Sequence, residues 1–257
     1  MGVVALLTIA IFFCRFYNRS VSMEQYNINA QPKSRVNTNS LLKNAYLWMA
    51  LGLAMTGVVA ALVSANPSFL YSVYSSFLGL FLVVGIQFGL VIFLSSRLHT
   101  MKVSTAVICF MLYSAVTGFS LSSIFLVYTG AVITRAFFSA CLMFAGMGLF
   151  AMITKKNLNS WGSYLMMGFW GIIIASVINM IFRAGWLDYV ISFIGVAVFL
   201  GLTAWDTQRI VQMGYQAQGA DEDSYVKLSI ISALTLYLDF LNIFLYLLRI
   251  FGRSNDN

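Results

Sequence analysis

Apolar residues fall along this chain in seven long runs, at roughly 42–65, 77–96, 104–128, 132–153, 161–182, 187–208 and 226–250. The runs are continuous and do not alternate. That pattern predicts membrane-spanning helices and excludes a transmembrane barrel, whose segments of about 10 residues alternate. Each run supplies the ~20 residues that cross ~30 Å of hydrocarbon. The short connections predict antiparallel neighbours in a bundle. The expected fold is all-α, a polytopic seven-helix transmembrane domain over 41–252, with a leading segment 1–40 and a tail 253–257.

A shorter apolar stretch, residues 2–14, has 13 residues and cannot span. It lacks the basic residues that precede a signal peptide's apolar core, and no clean small-residue cleavage site follows. Met23 opens a polar segment suited to a cytoplasmic N-terminus, so the first 22 residues are expected to be an upstream extension.

Composition agrees with the pattern. Hydrophobic residues make up 60% of the chain and charged residues 9%, against about 25% charged in soluble domains. The net charge of +7 comes without a basic run or basic–aromatic stripe, so no nucleic-acid partner is expected; the partner implied is the lipid bilayer. Cys14, Cys109 and Cys141 lie in apolar segments without paired spacing and read as packing residues.

Charge also orients the chain. Lys33, Arg35 and Lys43 precede the first span, Arg97 and Lys102 follow the second, Lys155 and Lys156 follow the fourth, and Arg209 and Lys227 flank the loop after the sixth. The alternate connections carry only Arg135 and Arg183. By the positive-inside rule the N-terminus is cytoplasmic. Seven spans then put the C-terminus outside, although Arg249 and Arg253 there oppose it. The spacing of Gly85 and Gly89 in "GIQFG" lets helices approach closely; internal packing is the expectation and dimerisation the alternative.

Few strongly polar side chains interrupt the spans: Gln87, Asn179, Asp206, Asp239 and Asn242. Ionisable groups inside a membrane are costly and mark function by default. In the last span, Ser232, Thr235, Asp239, Asn242, Tyr246 and Arg249 follow at steps of three and four, which keeps them on one helical face. Such a stripe either hydrogen-bonds the bundle together or lines a polar path, and Asp239 favours the path. Asp206, near the end of the sixth span, has Arg209 one turn away as an ordinary ion-pair partner. Lys227 and Arg249 are too distant along the helix to serve Asp239, whose partner must come from another span. Asp206 and Asp239 can meet in the cytoplasmic half of the bundle. Two carboxylates in a low-dielectric site share a proton and titrate as a pair; when ionised they attract a hard cation such as Ca2+. Arg97 is the nearest basic latch for them, or a simple topology anchor. The acidic loop "GADEDSY" lacks EF-hand spacing and reads as solvated surface.

"GLTAWDTQRI" followed by "SALTLYLDFLNIFLYLLRIFG" resembles the two hallmark segments of the Bax inhibitor-1 family, and its bacterial branch more closely. The resemblance covers about 40 to 252. It implies a seven-helix fold with the last helix surrounded by the other six. It also implies a pH-sensitive calcium leak channel whose aspartate pair, here Asp206 and Asp239, senses protons. Basic residues at the cytoplasmic end of the second helix are linked to gating in the family, and Arg97 is the nearest match. Some bacterial members are instead associated with a membrane protease, as substrate or modulator. This sequence departs from the family at Gln87, where several relatives are acidic, and at Trp205, where tyrosine or phenylalanine is usual.

An enzyme is not expected. His99 is the one histidine in the sequence, which rules out H-E-x-x-H, and no P-loop occurs. The surroundings of the two aspartates do not match intramembrane aspartyl proteases. A pH-gated calcium leak in a bacterial inner membrane leads, with no cofactor beyond Ca2+ as the transported ion. A regulatory partner of a membrane protease or other membrane protein, or a proton-coupled transporter, remains as the alternative.

Overall fold

A backbone in hydrocarbon has to satisfy its own N–H and C=O groups, and within one segment only a helix does so. The computed structural model describes residues 38–97, 101–154, 156–182, 184–217 and 221–253, and among them there is no strand. The helices are α1 (Thr38–Ser64), α2 (Pro67–Ser75), α3 (Phe77–Arg97), α4 (Val103–Leu121), α5 (Ile124–Val127), α6 (Gly130–Ile153), α7 (Gly162–Phe182), α8 (Gly185–Gln216) and α9 (Glu222–Arg253). A 3-10 turn, Leu158–Trp161, precedes α7. The extension before Met23, His99, Lys155, Arg183 and the end of the tail lie outside the described residues.

Six helical segments are long and apolar enough to cross a membrane: Leu41–Ser64, Val103–Val127, Gly130–Ile153, Gly162–Phe182, Gly185–Gln216 and Glu222–Arg253. The second apolar run gives α3, within which Phe81–Leu94 forms a shorter apolar helix. Among the described residues six helices are thus long and apolar enough to span, against the seven expected, and the second run supplies only the shorter apolar helix. Pro67 starts α2, a position where its missing N–H costs nothing.

α8 and α9 run 32 residues each, about 48 Å, well past their apolar runs. Helix does not stop where apolarity stops. α9 begins in the acidic loop, where Asp221 Oδ2 accepts the Ser224 backbone N–H at 3.1 Å. This is an N-cap, and Glu222 and Asp223 in the first turn complement the helix dipole. The loop read as plain surface is thus the start signal of the last helix.

Burial separates the helices. The most apolar window of α9 is 94% buried, those of α1 and α7 only 22% and 17%. Leu142, Ile153, Ile181 and Phe182 stand exposed; in a bilayer such side chains face lipid, which is as apolar as they are.

The chain divides into two units. The first holds Tyr128–Arg209 and residues 238–253. In it α8 and α9 run antiparallel: Arg249 meets Asp188, Arg253 donates to the Gly185 carbonyl, and the Phe199 and Tyr246 rings lie 5.9 Å apart. Gly195 makes this approach possible, since a Cβ there would sit 2.8 Å from the Tyr246 ring. α7 packs antiparallel on α8, with Phe169 edge-on to Phe199 at 5.8 Å and Gly162 against the Trp205 indole.

The second unit holds residues 38–127 and Ile210–Tyr237. There α1 and α4 approach closely at Gly52 and Gly118. Thr56 Oγ1 donates toward the Gly52 and Ser114 carbonyls, both at 2.9 Å, and shares a 2.7 Å hydrogen bond with the Tyr237 hydroxyl. Phe110 and Tyr113 pack edge-on to Tyr237. Gly85 and Gly89 on α3 are exposed. Among the described residues a Cβ on either meets nothing within 4 Å. Internal packing of that pair is thereby corrected: the glycines face outward, because α3 turns its Gln87 side inward.

Candidate functional site: buried polar residues on the last two helices

The two aspartates singled out by sequence both lie in the first unit. Asp206 on α8 is 2% exposed and Asp239 on α9 is 0% exposed. The other polar residues of the α9 stripe are also buried, Ser232 and Thr235 in the second unit and Asn242 and Tyr246 in the first, and the Arg249 side chain is 13% exposed. The stripe is interior over its whole length.

Part of it is satisfied by its own helix. Thr235 Oγ1 donates to the Ile231 carbonyl at 3.1 Å, and Asn242 Nδ2 to the Leu238 carbonyl at 2.8 Å. Such bonds to the preceding turn are how hydroxyls and amides become tolerable in an apolar setting. Ser232 Oγ has no hydrogen-bond partner among the described residues.

At the far end of the stripe Arg249 is ion-paired. Its Nη1 lies 3.2 Å from Asp188 Oδ1, and its guanidinium lies over the Tyr246 ring at 5.8 Å. Asp188 stands in the first turn of α8, and its backbone carbonyl accepts the Ser192 hydroxyl at 2.7 Å. Sequence reasoning missed Asp188. Its signal was an acidic residue in a helix's first turn, where the dipole favours it.

Around Asp206, α8 holds the connection that leads into α7. Gln208 Oε1 accepts the Leu158 N–H at 3.0 Å, and its Nε2 donates to the Ala151 and Lys156 carbonyls at 3.2 and 3.0 Å. The Arg209 guanidinium lies 5.7 Å over the Trp205 ring, and Trp205 in turn covers Gly162. The departure from the family's usual aromatic thus serves as a packing plate.

Arg97 ends α3 and is exposed; it belongs to the second unit, Asp206 and Asp239 to the first. A cation in the last turn of a helix complements its dipole. Gln87, also in the second unit, is buried, and its Nε2 has no hydrogen-bond partner among the described residues. Among the described residues no three His, Cys, Asp or Glu side chains gather as a metal cluster.

A family model described as Inhibitor of apoptosis-promoting Bax1 matches residues 38–256. The chain belongs to the Bax inhibitor-1 family. A Bax inhibitor-1 match that starts at residue 38 leaves the leading segment outside it, as the resemblance does. The chain is 40% identical over 222 residues to the Escherichia coli Inner membrane protein YbhL, covering 86% of this chain and 94% of YbhL. It is 42% identical over 219 residues to a Borreliella burgdorferi protein, covering 85% and 94%. It is 42% identical over 212 residues to Rickettsia prowazekii RP147, covering 82% and 88%. The chain is an integral membrane protein.

Proposed function

We propose that this protein is a pH-sensitive cation leak pathway, with calcium as its ion, gated by the Asp206–Asp239 pair. The observation that carries the reading is two ionisable carboxylates, 2% and 0% exposed, on antiparallel neighbouring helices of a membrane protein, where such groups are functional by default. Helical register supports it. From the Phe199–Tyr246 contact, Asp206 is seven residues on along α8 and Asp239 seven residues back along α9. Seven residues are close to two turns, so both steps run the same way and return to the same faces. The two carboxylates are thus expected at one level, where they hold a proton between them when acid and repel when both ionise. The ionised pair offers the hard oxygen ligands that Ca2+ prefers. Burial of α9 supports a central place for it, α3 serves as the seventh crossing, and the charge pattern supports a cytoplasmic N-terminus. No catalytic or resident-cofactor role is assigned.

The test is calcium flux into proteoliposomes across pH, for the unaltered protein, Asp206→Asn and Asp239→Asn. Each substitution fixes one carboxyl in a neutral form and is expected to flatten the pH dependence. Unchanged pH dependence in both removes the pair from the mechanism. Absence of flux at every pH favours a regulatory role at a membrane protease, and concentrative proton-driven uptake of a solute favours a transporter.

A further inference from the structure

The carboxylate pair leaves one charged cluster unused, at the other end of α8. Asp188 is 18 residues before Asp206, about 27 Å along the helix. Arg249 is ten residues beyond Asp239 on the polar face of α9, about 15 Å. The ion pair between them, 3.2 Å long with side chains 22% and 13% exposed, therefore caps the stripe at the end remote from the carboxylate pair.

α7 brings a further oxygen to that end. Gly168 lies against Val198 and Gly201 against Leu165, and Phe169 meets Phe199. Each step forward on α7 is thus matched by a step back on α8. Eleven residues on from Gly168 is Asn179, and ten back from Val198 is Asp188, which brings the two level. Asn179 is 1% exposed, and its Oδ1 accepts no hydrogen bond from any described residue. At that level on α8 is the Asp188 carboxylate, with the Gly185 carbonyl, which takes the Arg253 guanidinium, about one turn before it. Carboxylate, amide and backbone oxygens are the donor set of a hard-cation site, and here the cations present are two guanidinium groups.

We propose that Asp188 and Arg249 form a second closure of the path, with the Arg249 guanidinium as a tethered cation on the oxygen ligands that a permeating cation would otherwise meet. The inference rests on the leak-pathway reading and deepens it. The two residues have opposite effects. Without the guanidinium, the Asp188 carboxylate is left to attract cations; without the carboxylate, an uncompensated positive charge repels them.

Cation flux into proteoliposomes and reversal potentials in planar bilayers test it, with Ca2+, Na+ and Cl− as the ions. Arg249→Gln is expected to raise cation flux roughly tenfold, equivalent to about 1.4 kcal/mol of closed-state preference. Asp188→Asn is expected to lower cation flux and move the reversal potential toward that of chloride. A merely structural pair moves both variants in one direction, and that result overturns the proposal. So do unchanged flux and selectivity in both variants of a protein that leaks; the leak reading then stands alone. If the unaltered protein carries no ion at any pH, both fall together. Where Arg249→Gln does not assemble, Arg249→Lys keeps the charge and loses the planar fork. It is expected to raise flux by a smaller factor, and wild-type flux in that variant overturns the closure.

Discussion

Gly118→Ala probes the close approach of α1 and α4 in the second unit. A Cβ at Gly118 would lie 2.5 Å from the Thr56 carbonyl oxygen and 3.0 Å from the Val59 Cβ. Ordinary contact begins near 3.4 Å, so α1 and α4 must part by about 0.9 Å (3.4 − 2.5). The obstacle is backbone, which cannot swing aside as a side-chain tip does. Overpacking of this kind costs about 1–3 kcal/mol. The same displacement carries the Thr56 Oγ1–Ser114 carbonyl hydrogen bond from 2.9 Å toward about 3.8 Å, beyond useful range. An interhelical hydrogen bond in a membrane contributes about 0.6 kcal/mol. The expected loss is about 2–3 kcal/mol, or roughly 5–10 °C in Tm for a chain of this size. Thermal unfolding of the detergent-solubilised protein measures it. Gly85→Ala is the control, since its Cβ meets no described residue within 4 Å; it is expected to hold or slightly raise Tm. A Gly118→Ala protein within 1 °C of wild type, or a larger loss at Gly85, would refute the reasoning.

Two further outcomes are expected. The hydrogen bonds from Ser224 hold the Asp221 carboxyl below the usual carboxylate range. A lowered value means that the ionised cap stabilises α9 above about pH 4 and that this is lost as pH falls through the folded value. Amide exchange over the first turn of α9 should therefore accelerate at acid pH in wild type and change less in Asp221→Asn, which caps without titrating; equal acceleration would remove the cap from the explanation. Gln208→Leu keeps bulk but breaks three hydrogen bonds to the connection before α7, so trypsin should cut after Lys156 several-fold faster, and an unchanged rate would mean that the connection is held by something else.

Much of this protein could be read from sequence because a bilayer constrains so strongly. The apolar runs gave the helices to within a few residues wherever polar segments close them. The ends of α8 and α9 were less legible, since N-caps and interfacial turns extend a helix without apolar residues. Asp206 and Asp239 stood out because carboxylates are rare in apolar runs. Asp188 did not, because at the edge of a span an acidic residue looks like boundary. Gln208 and Tyr237 were invisible for a related reason: an interfacial amide is ordinary, and tyrosine counts as an aromatic until its hydroxyl finds Thr56. The facing of Gly85 and Gly89 was misjudged because spacing reports that two glycines share a face, not which face it is.

The stripe on α9 also shows why polarity and charge have to be weighed separately. Thr235 and Asn242 each own a donor and use it on a carbonyl one turn back, so neither requires water or a path. An ionised carboxylate has no donor and cannot use that solution on its own helix. Protonated, Asp239 regains one O–H and the option that Asn242 already takes. The same helix therefore accommodates a neutral Asp239 by local bonding, whereas a charged one depends on donors or cations from elsewhere. That asymmetry distinguishes Asp239 from its stripe neighbours, and it is why Asp239→Asn is the informative test of the proposed pair: it supplies the donor permanently and removes the choice.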